Sequence, residues 1–195
     1  MKLEENQPHL DKPGAGLPFF QGFFVRWYVA PILSRKADKE KNLRLFGMVG
    51  GRLLKEAEGV AEGKRDERVL VPRMRGIEDS SRFWSVNETL EHVIITGRAM
   101  REVIVELAAG RTPERVVRVE DFKPKGAYAG GDARPALKDF LAETEDALGS
   151  LKIEDAGPAL RHPWLGPLNA LQWTWLLAGH GGLHLAQLQA IKKRL

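Results

Sequence analysis

The sequence predicts an all-α protein whose main body is a four-helix bundle. Four segments after residue 38 repeat apolar residues with the 3.6-residue period of an α-helix, and no segment shows a strong strand pattern. The connectors are long enough to cross the bundle, and the chain of 195 residues, 43% hydrophobic, is large enough to bury one core. We therefore predict an N-terminal extension over residues 1–38 and a bundle domain over residues 39–195.

The N-terminal extension is rich in aromatic residues. Four of the eight phenylalanines lie between Phe19 and Phe24, and Trp27 and Tyr28 follow them. We expect a strap that packs across the domain or across a partner subunit, with attachment to a membrane interface or a lid over a pocket as alternatives. The apolar run over residues 17–33 is short and is interrupted by polar residues and prolines, so we expect no membrane span.

The first two helices are predicted from their apolar faces and their end signals. The first helix ends near the sequence AEGKR, residues 61–65. The second begins at Ser85, which forms an S-x-x-E capping box with Glu88, and it stops at Gly110. The apolar face of the first helix consists of Leu43, Phe46, Val49, Leu53, Leu54, Ala57 and Val60.

A long connector precedes the third helix, and a fourth helix closes the chain. Residues 111–135 are rich in glycine and charge, and their length indicates a candidate rim of a site rather than a simple turn. The fourth helix runs from about Asn169 to the C-terminus, where the cations of KKRL suit the negative end of a helix dipole. The shorter third helix has an apolar face that consists of Leu137, Phe140, Leu141, Thr144 and Leu148.

Composition excludes several classes of function. The net charge is +4, but lysine and arginine are interleaved with aspartate and glutamate, so we predict no nucleic-acid partner. The chain has no cysteine, which excludes disulfides, iron–sulfur clusters and thiolate metal sites. Any metal must therefore be held by nitrogen or oxygen, and we predict a cytoplasmic protein because the start, MKLEENQPHL, lacks the order of a secretion signal.

The fourth helix carries a pair of histidines in the sequence LAGHGGLHLAQ, residues 177–187. At 100° per residue, His180 and His184 lie on one inward stripe with Trp173 and Gln187. Imidazoles on adjacent turns can direct a nitrogen at one metal ion, which is the geometry of helical H-x-x-x-H sites. The spacing alone arises readily by chance, so a metal site requires a third ligand.

His92 is the best third ligand in the sequence. It lies on the second helix at the boundary of the buried face, where a lone histidine is usually solvated or simply hydrogen-bonded. Three neutral imidazoles in an apolar bundle are costly to leave unpaired, whereas one divalent ion satisfies all three and can keep open positions. We therefore predict a metal site formed by His92, His180 and His184.

The same residues resemble the DinB-like superfamily, whose members include thiol S-transferases that use bacillithiol or mycothiol. The resemblance covers residues 39–195 and depends on WSVNETLEHV, HPWLGPL and HGGLHLAQL, which begin at Trp84, His162 and His180. It implies the DinB/YfiT-like four-helix topology of a metalloenzyme, with nickel or zinc on His92, His180 and His184. It also implies a homodimer. The aromatic extension and the paired glycines are departures from the family pattern.

Other candidates each have two interpretations. Glu88 is either the helix cap or a general base near His92, and the capping box favours the cap. Gln187 either hydrogen-bonds a ligand or is an ordinary buried amide. His162 precedes a proline and either stabilises a turn or acts as a fourth ligand, and we group it with Trp173 and Gln187 as candidates for the surroundings of the metal or the pocket.

Small residues on the other side of the fourth helix suggest a packing face. Ala178 and Gly182 form a small-x-x-x-small pattern within a second apolar stripe that includes Leu185. We expect this face to contact the fourth helix of a partner subunit or the aromatic strap. Gly181 has no such explanation, although a small residue between the ligands could admit a substrate.

Two functions from different classes follow. The first is an enzyme in which a metal lowers the pKa of a thiol or water, so that a low-molecular-weight thiol is transferred to an electrophilic small-molecule substrate, with metal-assisted hydrolysis as a second reaction. The alternative is a non-catalytic, dimeric bundle that binds a metal or a small ligand. An open centre beside a pocket would favour the enzyme, and a closed centre would favour the binding protein.

Overall fold

The computed structural model describes residues 8–12, 38–114 and 118–195, and these form a bundle of four α-helices, as the sequence predicts. Asp38 caps the first helix by accepting a hydrogen bond from the N–H of Lys41. The aromatic segment over residues 19–28 lies outside the described residues, and the division at residue 38 stays a prediction. The four helices are α1 (Lys39–Glu58), α2 (Val86–Ala108), α3 (Arg134–Gly149) and α4 (Ala170–Lys192).

The helices pack in a ring that differs from their order in the chain. Helix α4 contacts α1 and α2, and α3 contacts the other side of α1 and α2. The connections from α1 to α2 and from α3 to α4 therefore cross the bundle diagonally, as the lengths of the connectors indicate. This arrangement places α2 directly beside α4, so the two helices that carry the predicted ligands are neighbours.

Aromatic and aliphatic side chains from all four helices fill the core. Phe46 of α1 meets Phe140 of α3 edge to face, with ring centroids 5.8 Å apart. Gly97 of α2 allows this contact, because a Cβ atom there would lie 2.2 Å from Cζ of the fully buried Phe140. Gly181 of α4 plays a similar part, since its Cβ would lie 3.1 Å from Cγ1 of Val49. Close approach of α1 thus explains a glycine that the sequence leaves unexplained.

Capping boxes begin both helices of the site. Ser85 and Glu88 form the predicted box at the start of α2, and Gly110 follows its end with a φ of 78°. Asn169 and Gln172 form a second box at the start of α4. Helix α1 ends at Glu58, slightly before the predicted end, and a 3₁₀ turn over Glu62–Lys64 follows it.

Two short antiparallel hairpins lead into the capped helices. Strand β1 (Val69–Leu70) pairs with β2 (Phe83–Trp84), and β3 (Ala159–His162) pairs with β4 (Gly166–Asn169). Strands of two and four residues are too short for alternation to stand out in a sequence, which explains why none is predicted. Because β2 precedes α2 and β4 precedes α4, the hairpins set where these helices begin.

The expected packing face of small residues is not a single outward surface. Ala178 and Leu185 are buried in the core of the same chain, whereas a Cβ atom at Gly182 would meet nothing within 4 Å among the described residues. The expectation that Ala178 and Leu185 contact a partner is therefore wrong, because this chain already buries both side chains. The alternative contact with the aromatic strap stays a prediction, since the strap lies outside the described residues. In the described part of the chain, no helix combines the length and hydrophobicity needed to cross a bilayer.

Candidate metal centre

Three histidines from two helices converge at one point. His92 projects from α2, and His180 and His184 project from successive turns of α4. One ring nitrogen from each lies within 4.8 Å of the other two, and the Nε2 atoms of His180 and His184 are 3.2 Å apart. The ring centroids are 4.4 to 5.1 Å apart. Among the described residues, this is the one cluster of histidines and carboxylates with the spacing of a metal site.

Hydrogen bonds hold two of the rings by their Nδ1 atoms. Nδ1 of His92 lies 2.7 Å from the backbone oxygen of Phe122, which can only accept, so this nitrogen carries the proton. Nδ1 of His184 lies 2.8 Å from Oε1 of Gln187, whose amide is oriented by donating to the backbone oxygen of Ser81 at 2.7 Å. Both Nε2 atoms are therefore left with a free lone pair.

The third ring follows the same pattern through a longer contact. The hydroxyl of Thr96 donates to the backbone oxygen of His92 at 2.6 Å, so its oxygen is available as an acceptor. Nδ1 of His180 lies 3.5 Å from that oxygen. An acceptor therefore faces Nδ1 in each of the three rings, and Nε2 is the nitrogen directed at the centre.

Burial keeps the three rings neutral. Desolvation lowers the pKa of His184 to about 4 and lowers the pKa values of His92 and His180 well below the ordinary histidine value. His92 is only 9% exposed, so it lies deeper than the boundary position that its helix predicts. The difference arises because the connector after α2 folds over His92 and places Phe122 against it. A neutral imidazole is the form that binds a metal.

The donor set fits a divalent ion of borderline softness. The two Nε2 atoms are within hydrogen-bond distance at 3.2 Å, and a cation between them would replace the shared proton with two metal–nitrogen bonds. Tetrahedral zinc with nitrogen ligands at about 2.0–2.1 Å sets those nitrogens about 3.3 Å apart, close to the 3.2 Å between the Nε2 atoms of His180 and His184. Imidazole nitrogen suits zinc and nickel, whereas calcium and magnesium prefer oxygen.

The Trp84 ring and the ammonium group of Lys123 flank the histidines. The Trp84 ring stacks on His184 with centroids 6.0 Å apart and lies 4.9 Å from the centroid of His92. Nζ of Lys123 is 5.5 Å from the centroid of Trp84, and it donates to Oε2 of Glu78 at 2.8 Å and to Oγ of Ser81 at 2.7 Å. The Glu78 carboxylate thus compensates the charge of Lys123 beside the site.

Buried polar side chains of α2 pin the connector that covers His92. The Glu91 carboxylate accepts hydrogen bonds from the backbone N–H groups of Lys125, Gly126 and Ala127 at 2.8 to 3.1 Å. Asn87 donates to the backbone oxygen of Gly131 at 3.1 Å. These contacts fix the Phe122 carbonyl in place, so the connector forms part of the rim of the site, as its length indicates.

A cavity of about 400 Å³ adjoins the histidines, within the range of small-molecule sites. All three rings line it. The connector after α2, the loop before β2 and the β3–β4 hairpin also contribute to its wall. The apolar part of the wall includes Met100, Val103, Phe122, Trp164, Trp175 and Leu183.

The other predicted candidates occupy distinct positions. Glu88 completes the capping box of α2 and pairs with Arg68 in a very short contact, so its carboxylate is already engaged. Gln187 is fully buried and orients His184. Trp173 and His162 line the cavity, and His162 stabilises the β3–β4 turn by accepting hydrogen bonds at Nδ1. Burial lowers the pKa of His162 to about 4, and its ring is not part of the three-histidine cluster.

Three contributors to the site escape the sequence analysis. The Phe122 carbonyl carries no sequence signal, because every residue has a backbone oxygen. Thr96 lies one turn after His92 on the same face of α2, and this spacing could have identified it. Trp84 begins one of the quoted motifs, but its contacts with His92 and His184 depend on how β2 leads into α2.

Comparisons with known proteins agree with this geometry. The chain is 24% identical to a protein of Bacillus subtilis (strain 168) described as "Uncharacterized protein YuaE", over 133 residues that cover 60% of this chain and 82% of the relative. No solved structure gives a significant match. A sequence model described as the DinB superfamily matches residues 45–188, which include α2, α4 and all three histidines of the cluster. The chain therefore belongs to the DinB superfamily.

Proposed function

We propose that His92, His180 and His184 bind one divalent metal ion, zinc or nickel, and that the resulting centre transfers a low-molecular-weight thiol to an electrophilic small molecule. The observation that carries the proposal is the convergence of three ring nitrogens whose opposite nitrogens all face acceptors. The cavity beside the rings favours catalysis over a closed structural site, which is the alternative function.

A bound divalent metal supplies Lewis-acid chemistry, which lowers the pKa of a thiol or polarises an electrophile. In the overall reaction the thiol loses its proton to solvent or buffer. Its sulfur then forms a bond to an electrophilic carbon, and the leaving group departs with the electron pair of the broken bond. Metal-assisted hydrolysis is the same displacement with water in place of the thiol.

The chain's own residues supply position and surroundings. The Phe122 carbonyl and the Gln187 amide hold the imidazoles of His92 and His184 in one orientation, so little rearrangement is needed when a ligand binds. The apolar wall favours an electrophile with substantial hydrocarbon or aromatic surface. Homodimer formation and a cytoplasmic location belong to the same proposal, and oligomeric state is tested by sedimentation or light scattering.

Metal analysis tests the centre directly. Protein purified without a histidine tag should contain close to one zinc or nickel ion per chain, and His184→Ala should lose most of it. His9→Ala is a matched control, because it removes an exposed histidine outside the cluster and should keep the metal content of the wild type. Equal metal content in all three proteins would contradict the proposal.

A thiol-consumption assay tests the reaction. The metal-loaded wild type should accelerate the loss of a low-molecular-weight thiol in the presence of an apolar electrophile, and His184→Ala should not. A stoichiometric metal without acceleration for any electrophile, and without hydrolysis of activated esters, would favour the non-catalytic alternative.

A further inference from the structure

Lys123 uses all three of its ammonium donors on one loop. Its Nζ donates to Oε2 of Glu78 at 2.8 Å, to Oγ of Ser80 at 2.7 Å and to Oγ of Ser81 at 2.7 Å. An ammonium group has three N–H donors, so these contacts leave none for a substrate. The side chain of Lys123 is 17% exposed and that of Glu78 is 3% exposed, so water weakens the contacts little. Lys123 therefore joins the connector after α2 to the loop before β2, residues 78–81.

The loop side of this contact determines the orientation of His184. The backbone oxygen of Ser81 accepts from Nε2 of Gln187 at 2.7 Å, and Oε1 of Gln187 faces Nδ1 of His184 at 2.8 Å. Lys123 bonds to the hydroxyl of the same serine. A shift of the loop would therefore move the Ser81 oxygen, free the Gln187 amide to rotate and remove the acceptor of His184.

The connector side determines the orientation of His92. Phe122 directly precedes Lys123, and its backbone oxygen faces Nδ1 of His92 at 2.7 Å. Glu91 holds the connector farther along, through the backbone N–H groups of residues 125–127. Lys123 holds it immediately after the residue whose oxygen contacts His92. The Lys123 side chain thus links the groups that orient two imidazoles on different helices.

The charge of Lys123 is compensated where it lies. Its Nζ is 5.5 Å from the centroid of Trp84, whose ring stacks on His184, so an unbalanced ammonium there would oppose a bound cation. The Glu78 carboxylate, 2.8 Å from Nζ, offsets that charge. The lysine can therefore hold both backbone segments without strongly repelling a metal ion.

We propose that Lys123 is a positioning residue of the metal centre, which orients His92 and His184 together by joining the two backbone segments that fix their acceptors. The proposal rests on the proposed function for the bound metal but not for the orientation of the rings. Groups that orient a metal-binding histidine change metal affinity about ten- to a hundredfold, so the contribution of Lys123 is measurable.

A charge-balanced variant tests this role. Lys123→Met alone would remove the contact and also a positive charge that opposes the metal, and these two effects have opposite signs. Lys123→Met combined with Glu78→Gln removes one cation and one anion, so mainly the contact is lost. This double variant should bind zinc about tenfold more weakly than the wild type in competition with a chromophoric chelator. Lys125→Met is the matched control, because it removes an exposed lysine side chain from the same connector and should stay within about twofold.

A third change shows whether Lys123 acts on His184 through Gln187. Gln187→Ala removes the amide that the Ser81 oxygen holds, so adding the double variant to Gln187→Ala should weaken zinc binding only about threefold further, through His92 alone. A full tenfold loss in that protein would mean that Lys123 acts on the fold as a whole, and it would overturn the proposal. Equal zinc affinity of the double variant and the wild type would overturn it as well.

Nuclear magnetic resonance of the metal-free protein separates this proposal from the metal function. The Nδ1–H protons of His92 and His184, whose nitrogens lie 2.7 and 2.8 Å from their acceptors, should exchange slowly enough to give downfield signals in a nitrogen-labelled sample. His92→Ala and His184→Ala identify the two signals by their loss. Both signals should weaken in the double variant and persist in Lys125→Met.

The two measurements fail independently. If the signals respond as expected but the wild type binds neither zinc nor nickel, the metal function fails alone. If the wild type binds the metal but the signals do not respond to the double variant, the positioning role of Lys123 fails alone.

Discussion

The two ends of the cavity differ in whether their ring N–H groups have hydrogen-bond acceptors. At the histidine end, Nδ1 of His92 and of His184 have acceptors at 2.7 and 2.8 Å, which leaves lone pairs facing the centre. At the tryptophan end, the N–H groups of Trp173 and His162 have no acceptor among the described residues. Converging lone pairs suit a cation, and the tryptophan end offers no free ring-nitrogen lone pair, so the two ends of the cavity differ chemically.

The asymmetry does not originate in α4 itself. His184 and Trp173 project from the same helix, yet they meet different partners. The connector after α2 brings the Phe122 carbonyl to the histidine end, whereas the β3–β4 hairpin brings a histidine whose Nδ1 is already occupied to the other end. Neighbouring backbone segments thus decide whether each ring nitrogen presents a proton or a lone pair.

The largest expected effect comes from removing one ligand of the cluster. His92→Ala should weaken zinc or nickel binding about a thousandfold, because it deletes one of three nitrogen donors. This loss is larger than the roughly ten- to hundredfold loss expected when a group that only orients a histidine is removed. Competition with a chromophoric chelator measures the affinity. His162→Ala, at the tryptophan end, should stay within about twofold of the wild type. Similar losses in both variants would break the distinction between the two ends.

The histidine end of the cavity depends on α2 lying close to α3 and α4, and Gly97 permits the approach to α3. Gly97→Ala puts a Cβ atom 2.2 Å from Cζ of Phe140 and should lower the free energy of unfolding by about 2 kcal/mol through overpacking. Denaturant unfolding followed by circular dichroism measures this change. Gly179→Ala is the control, because its Cβ would meet none of the described residues within 4 Å, and it should raise stability by up to about 1 kcal/mol. If Gly97→Ala has the same free energy of unfolding as the wild type, α2 shifts easily away from Phe140.

Removing the group that orients His184 should weaken metal binding less than removing a histidine of the cluster. Gln187→Ala removes the acceptor of His184 Nδ1 and should weaken metal binding about ten- to a hundredfold while leaving all three ligands in the chain. Gln189→Ala is the control on the same helix. It removes a half-buried amide that donates to Glu56 of α1, and it should not change the affinity for the metal. If both variants bind metal as the wild type does, the lone-pair pattern at the histidine end is not maintained by Gln187.

The smallest expected effect is on stability, and it comes from Asp132 at the end of the connector that covers His92. The hydrogen bond from the Arg134 guanidinium, with Arg65 nearby, lowers the pKa of Asp132 to about 2 from 3.8. Because the folded pKa is the lower one, this carboxylate stabilises the fold above about pH 4, and the contribution disappears as the pH falls towards 2. Asp132→Asn should cost about 1 kcal/mol at neutral pH after allowance for solvent screening, and should cost nothing near pH 2.

Urea unfolding at several pH values measures this effect. Asp139→Asn, which changes an exposed carboxylate on α3, is the control and should unfold at the same urea concentration as the wild type at neutral pH. A pH profile of Asp132→Asn parallel to that of the wild type would show that the connector is held without this ion pair.

Sequence patterns predict the helices and the three histidines of the cluster because the relevant signals are local. The capping box of Ser85 and Glu88, the apolar period and the spacing of His180 and His184 all depend on residues within a few turns of one another. The same patterns misplace His92 at the boundary of the buried face, because its covering carbonyl comes from Phe122, thirty residues later. They also assign Ala178 and Leu185 to a face that contacts a partner or the aromatic strap, whereas both side chains are buried in the core of this chain.

By itself, the sequence determines the all-α class, the faces of α2 and α4, and which histidines are candidates to bind a metal, since periodicity and residue chemistry are carried by short stretches of chain. The tertiary structure decides the rest. It places α2 beside α4, turns each Nδ1 towards an acceptor, explains Gly181 by the approach of α1, and leaves the Trp173 N–H without an acceptor among the described residues. These features depend on backbone segments that are distant in sequence, and hydrogen bonds to a backbone carbonyl leave no residue signature to detect.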